Sequence, residues 1–184
     1  MFHRNLFAAA LLAVTASLFS SATVTAQDAD NPDEAEREAA FQKLGETLKG
    51  IDNLFYKEVT TDSGYKFYQV MWESEGESSR ITIELRELGH YQGKKVFKIL
   101  AYATVAQSEG SMPPAVIKAV ATRNERTGLG HFSMPEEFNV VYINCVVPSD
   151  TLTPGQLWMI MAYIHDNRIG FKEEIGKLMS ASGR

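Results

Sequence analysis

The sequence predicts an α+β fold in which helices lie against a mainly antiparallel sheet. Apolar residues recur at helical spacing in three segments, and two segments rich in β-branched and aromatic residues lie between them. The predicted order is helix, strand meander, helix, hairpin and long C-terminal helix. Strands and helices do not alternate one by one, as a parallel sheet would require, so the strands are expected to pair antiparallel.

The first residues have the pattern of a secretory signal peptide. Arg4 precedes an uncharged run from Leu6 to Phe19, and the small-residue ending Val24-Thr25-Ala26 follows. This run is shorter than the roughly 20 residues that a membrane-spanning helix needs. We therefore expect cleavage after residue 26 and an exported protein, periplasmic or extracellular. An uncleaved N-terminal anchor is the alternative.

The remainder of the chain has the size of one domain. Residues 27–33 are predicted to form a disordered acidic leader, residues 34–179 a single domain, and residues 180–184 a tail. The net charge of the whole chain is −5, and no basic cluster offsets it, which argues against nucleic acid or anionic membrane as a partner. The single cysteine, Cys145, lies in the apolar run VVYINCVV and is predicted to be a buried structural thiol rather than a nucleophile or an intermolecular bridge.

The first helix and the meander follow from two different periodicities. From Glu34 onwards, apolar residues recur at spacings of three and four and form one helix face. The meander of three or four strands is divided by the turn-forming stretches TTDSG, SEGES and HYQGK. In one strand Ile81, Ile83 and Leu85 alternate with polar residues, which predicts one buried and one wet face. The next strand, Val96 to Val105, is apolar nearly throughout and should be central.

A second helix and a hairpin are predicted next. Pro113 and Pro114 suit a helix start, and the segment LGHFSMPEEFNVVYINCVVP predicts a hairpin that turns near Pro135 to Phe138.

The stretch TRNERTGLGHF, residues 122–132, is interpreted as a helix end. A phosphate-binding loop places its glycines before a helix, whereas Gly128 follows one and suits a left-handed cap. Arg123 suits the negative end of the same helix. The alternative is a role of Arg123, Asn124 or His131 at a binding surface.

The last helix has the clearest start signal. Thr153 and Gln156 form a predicted capping box, with Pro154 at the first helical position. Apolar positions continue the helix to near Met179, with Arg168 and Gly170 interrupting the middle. Residues 157–164, LWMIMAYI, are apolar on every side, so we expect cover from the sheet together with another helix or a partner chain.

No catalytic or metal-binding constellation is recognised in the sequence. The histidines after the leader, His90, His131 and His165, lack the spacing that sets two ligands on one face, and a GxSxG motif is missing. We predict that the protein is not an enzyme and needs no cofactor. The rival hypothesis is a secreted enzyme or small-ligand binder with a cleft near Arg123, His131 and Glu136.

Tyr68 and Trp72 share one face of a predicted strand. This face is either covered by a helix or exposed as a binding platform, and burial is favoured.

The segment from Val116 to Ile175 resembles the latter half of YbjN-like domains, which share the fold of type III secretion chaperones. In those families the second helix ends with an asparagine, a small residue and an aromatic strand follow, and the last helix follows a threonine cap. These features fall on Asn124, Gly130, Phe132 and Thr153.

The resemblance implies a non-catalytic module that binds protein segments, often as a homodimer. We therefore predict a chaperone-like protein-binding module that acts through self-association or capture of a protein segment. The expected partner is a protein or a second copy of this chain. The residues predicted to contact it are Tyr68, Trp72, Trp158, Met161 and Arg123.

Overall fold

A computed structural model describes residues 32–182, which form an antiparallel sheet and three helices. This confirms the predicted α+β class and order of elements. The signal-peptide prediction and most of the predicted leader lie outside the described residues. In chain order the elements are α1 (Pro32–Lys49), β1 (Phe55–Thr60), β2 (Lys66–Ser74), β3 (Glu77–Tyr91), β4 (Lys94–Gln107), α2 (Pro114–Asn124), β5 (His131–Ser133), β6 (Val140–Pro148) and α3 (Pro154–Ser182).

The sheet has the strand order β1-β2-β3-β4-β6-β5, so β3 and β4 are central. Two-residue loops connect β2 to β3 and β3 to β4, and their residues are Glu75-Gly76 and Gln92-Gly93. All four residues have positive φ angles, between 49° and 82°. Such turns match the twist of the flanking strands, which explains why the stretches SEGES and HYQGK form tight hairpins.

The core lies between one face of the sheet and the three helices. Its strand residues alternate along each strand, and its helical residues include Leu44 of α1, Val116 of α2 and Ile164 of α3. The opposite face, called the open face below, carries Gln69, Thr82, Tyr102 and Asn144. Among residues 32–182, the apolar core takes no residue from the open face.

The long helix α3 differs from its prediction in two ways. It is continuous through Arg168 and Gly170 and runs to Ser182, so residues 180–182 are helical and not a tail. The capping box forms as predicted: the Gln156 N–H donates to Thr153 Oγ1 at 3.3 Å, and the Thr153 N–H donates to Gln156 Oε1 at 2.9 Å. At the other end of the domain, α1 begins at Pro32, two residues before the predicted start.

The stretch after α2 ends the helix, but not by the predicted cap. Gly128 lacks a positive φ, and Glu125, at the C-terminus of α2, has right-handed helical angles. The Asn124 side chain instead joins the helix end to β5: its amide donates to the Phe132 carbonyl at 2.8 Å and accepts from the Phe132 N–H at 2.6 Å. Gly130 allows a close approach, because a Cβ there would lie 2.8 Å from Cys145 Sγ and nearer still to the Asn144 carbonyl oxygen.

Two further properties follow from the core. Cys145 is buried, and desolvation raises the pKa of its thiol to about 11. None of the helices in residues 32–182 is long and apolar enough to span a bilayer.

Candidate protein-binding surface

Both tryptophans of the chain are predicted to contact a partner, and they lie side by side in the structure. Trp72 of β2 and Trp158 of α3 form an edge-to-face pair with ring centroids 5.5 Å apart. Trp72 is half-buried and Trp158 is 49% exposed. A paired strand positions one ring and a capped helix start positions the other, so regular backbone holds both.

Clefts lie on both sides of this pair. The first has a volume of about 360 Å³ and includes Leu54, Phe55 and Met71 in its lining. The second has a volume of about 570 Å³ and includes Ala162 and Ile169. Trp72 and Trp158 line both clefts and therefore form the ridge between them. The ridge and its two clefts are called the tryptophan surface below.

Large apolar side chains are exposed around the ridge. Phe55, in the first cleft, is 76% exposed, and Met159, the residue after Trp158, is 56% exposed. Met159 also lines a mainly apolar groove of about 280 Å³, together with Leu129 and Ile160. Clustered exposed apolar side chains mark interaction surfaces more often than scattered ones do.

The formal charges that line the two clefts are all negative. Those of the first cleft belong to Asp52 and Glu73, and those of the second to Glu75, Glu77 and Asp166. Within the described part of the chain, no lysine or arginine lines either cleft. The tryptophan surface is therefore an apolar ridge with an acidic rim, and its field favours a basic ligand.

Two of the residues predicted to contact a partner lie in the core instead. Met161 is fully buried, and Tyr68 is buried with its ring stacked on Phe41 at a centroid distance of 4.5 Å. Burial raises the pKa of Tyr68 to about 12. Neither side chain presents a surface to a partner in this structure. The helices cover the sheet face that carries Tyr68, which is the burial that the sequence favours, and Met161 is on the core side of α3. The fifth predicted residue, Arg123, places its guanidinium over the Phe171 ring at 5.5 Å.

The residues of the rival cleft lie around the second hairpin. His131 and Glu136 are exposed, and none of the three clefts described above includes them or Arg123. Among residues 32–182, no group of three or more His, Cys, Asp or Glu side chains could hold a metal ion.

A buried serine–histidine pair escaped the sequence analysis. Ser79 Oγ and His165 Nδ1 are 2.8 Å apart although the residues are 86 positions apart in the chain, and no local motif connects them. Both side chains are buried, and Arg168 Nη1 donates to Ser79 Oγ at 3.3 Å. The pair therefore joins β3 to α3, and its His165 also lines the second cleft.

Comparison with known proteins identifies no family. No protein-family profile matches this chain, and no curated protein matches it. A chain in the solved structure of the HopA1-SchA chaperone-effector complex is similar at 13% sequence identity and a TM-score of 0.40, over 76% of this chain and 92% of that chain.

Proposed function

We propose that the protein is a non-catalytic binding module that captures an apolar segment of a partner protein on the tryptophan surface. The single observation that carries the proposal is the Trp72–Trp158 ridge between two clefts, in which Trp72 is half-buried and Trp158 is exposed. Tryptophans in such positions supply much of the energy of protein interfaces, since they bury a large area at low entropic cost.

The acidic rim indicates that the partner segment carries positive charge. Side chains such as Glu73 and Glu75 border the clefts, so lysine or arginine residues beside the apolar anchors would complement them. A symmetric dimer through the same surface would bring two acidic rims together, which opposes self-association there. A basic, apolar segment of another protein is therefore the proposed occupant, and a second copy of this chain is the competing outcome.

Export is part of the proposal. The uncharged run and the small-residue ending before residue 27 support a cleaved signal peptide. Expression in a host with a secretory pathway, followed by mass measurement of the protein from the envelope or the medium, should give a chain that starts at Gln27. A full-length chain retained in the cell would contradict this.

Binding can be tested with designed peptides and the intrinsic tryptophan emission. Two peptides would share the same apolar residues, one with lysine flanks and one with glutamate flanks. The basic peptide should bind saturably and shift the emission of the protein, whereas the acidic peptide should bind far more weakly.

Matched variants locate the binding. Trp158→Ala should lower the affinity for the basic peptide by about 30-fold, as expected for a hot spot of about 2 kcal/mol. Leu88→Ala removes an apolar side chain from β3 that is 62% exposed and lies outside the clefts, and it should leave binding unchanged. Equal affinity of the Trp158→Ala variant, or dimerisation that depends on Trp158 in sedimentation, would overturn the proposed occupant.

A further inference from the structure

The central strands β3 and β4 separate at one end of the sheet. Their pairing ends at Thr82 and Tyr102, although β3 begins at Glu77 and β4 continues to Gln107. Arg168 of α3 reaches into this opening.

The Arg168 guanidinium bridges the two separated strands. Its Nε donates to the Thr104 carbonyl at 2.8 Å, and its Nη1 donates to the Ser78 carbonyl at 3.1 Å. These bonds hold the group in one orientation and leave Nη2 without a hydrogen bond among the described residues.

The opening forms a pocket of about 350 Å³. This volume lies within the range of small-molecule sites. Besides Met71 and Ala103, the lining consists of hydroxyl and guanidinium side chains: Ser78, Arg80, Thr82, Tyr102, Thr104 and Arg168.

The positive charge of the pocket is uncompensated. Within residues 32–182, neither Arg80 nor Arg168 forms an ion pair with a carboxylate. Arg86 lies on the same strand and sheet face as Arg80 but is paired, with its Nη2 2.7 Å from Glu84 Oε2. Two unpaired guanidinium groups thus converge on one pocket of an acidic chain.

We propose that this pocket binds a small ligand through an oxyanion, either a carboxylate or a phosphate group. Guanidinium groups match both oxyanions with paired N–H donors, and hydroxyl groups add donors without adding charge. Arg168 is held by the strands and forms the fixed part of the site. The Arg80 side chain is exposed and makes no hydrogen bond in the described part of the chain, so it is free to close over the ligand.

The site is independent of the proposed protein binding. Among the described residues, the pocket shares Met71 alone with the first cleft of the tryptophan surface and none with the second. Loss of Trp158 should therefore leave oxyanion binding unchanged, and failure of one proposal leaves the other standing.

The test is a titration of the isotope-labelled protein with inorganic phosphate and, separately, with succinate, at constant ionic strength maintained with chloride. Either anion should cause saturable shifts in the amide signals of residues 78–82 and 102–104 and in the Nε signal of Arg168. A response to phosphate alone identifies a phosphate site, and a response to succinate alone identifies a carboxylate site. The absence of saturable shifts with both anions would overturn the proposal.

Two variants that remove the same charge distinguish specific binding in the pocket from non-specific electrostatic attraction. Arg80→Gln should lower the affinity for the anion by at least about tenfold, since it removes a charge-assisted contact. Lys98→Gln removes the same charge from β4 outside the pocket and should have little effect. Equal weakening by both variants would show an adventitious, diffuse attraction and reject the site.

Discussion

At the residue scale, Glu84 shows how the open face of the sheet departs from simple alternation. The wet-face pattern of β3 predicts an exposed side chain, but Glu84 is buried. Its Oε1 accepts from the Tyr102 hydroxyl at 2.7 Å, and its Oε2 accepts from Arg86 Nε at 2.8 Å and from the Tyr65 hydroxyl at 3.3 Å. Arg86 belongs to β3 itself, Tyr102 to the neighbouring β4, and Tyr65 directly precedes β2, so one hydrogen-bonded carboxylate links β3 to the chain on both of its sides.

The buried side chain of Tyr68 makes the free energy of unfolding depend on pH in the alkaline range. Burial raises its pKa from 10.0 to about 12, so the folded state holds the proton more tightly than the unfolded state does. The stability from this group is complete below pH 10 and is lost as the pH rises towards 12. Urea unfolding between pH 8 and pH 11 should show a free energy of unfolding that begins to fall above pH 9.0 through the buried Cys145 thiol and falls more steeply above pH 10.0 through Tyr68. Tyr68→Phe should reduce that slope, and an unchanged slope in this variant would contradict the assignment.

At Gly130, the addition of a single methyl group should lower the stability of the protein. A Cβ at Gly130 would meet the Asn144 carbonyl oxygen and Cys145 Sγ, and the backbone partner cannot rotate away. Gly130→Ala should therefore destabilise the protein by about 1–3 kcal/mol, the usual cost of overpacking. Gly128→Ala is the matched control because its Cβ meets nothing within 4 Å and its φ is not positive. Thermal unfolding of the two variants side by side gives the comparison, and equal midpoints would refute the close contact.

At the element scale, α2 depends on a side chain to reach the sheet. The Asn124 amide pairs with both backbone groups of Phe132, in the manner of a neighbouring strand. Phe132 in turn places its ring 4.7 Å from Phe171 of α3. The Asn124 amide therefore links α2 to β5, and the Phe132 ring links β5 to α3.

Removal of that amide should loosen these elements. Asn124→Ala leaves the Phe132 N–H and carbonyl without their partner, which we expect to cost about 1–3 kcal/mol. Hydrogen exchange should show faster exchange of the Phe132 amide and of the last turn of α2. Glu125→Ala, an exposed change at the next residue, is the control and should preserve both. Unchanged protection in the Asn124→Ala variant would show that other contacts dock the helix.

The contrast between Thr153 and Arg168 shows what the sequence could predict at this scale. The capping box of α3 uses residues three positions apart, so its hydrogen bonds are encoded locally and were predicted correctly. From the sequence alone, Arg168 is only an interruption of the apolar helix face. Its partners, Thr104 and Ser78, lie 64 and 90 positions away and become visible only when the sheet is assembled.

At the scale of the whole molecule, the apolar run of α3 divides between the core and the surface. The sequence predicted that residues 157–164 need cover on more than one face. The fold covers Leu157, Met161 and Ile164 completely but leaves Trp158 and Met159 exposed. The sequence could not predict this division, since every position of the run is apolar. Of the two uncovered residues, Trp158 lies at the tryptophan surface, where the proposed partner would bury it, and Met159 lines the neighbouring apolar groove.

The same substitution at two positions of this run distinguishes core from surface. Met161→Lys places a charge in a fully buried position and should cost more than about 4 kcal/mol, enough to unfold much of the protein. Met159→Lys places the same charge where the side chain is already 56% exposed and should stay within about 0.5 kcal/mol of the parent. Circular dichroism and urea unfolding of both variants provide the measurement. If Met161→Lys stays folded and only changes the oligomeric state, the side chain lies in an interface between copies, and the arrangement of α3 against the sheet described here is wrong.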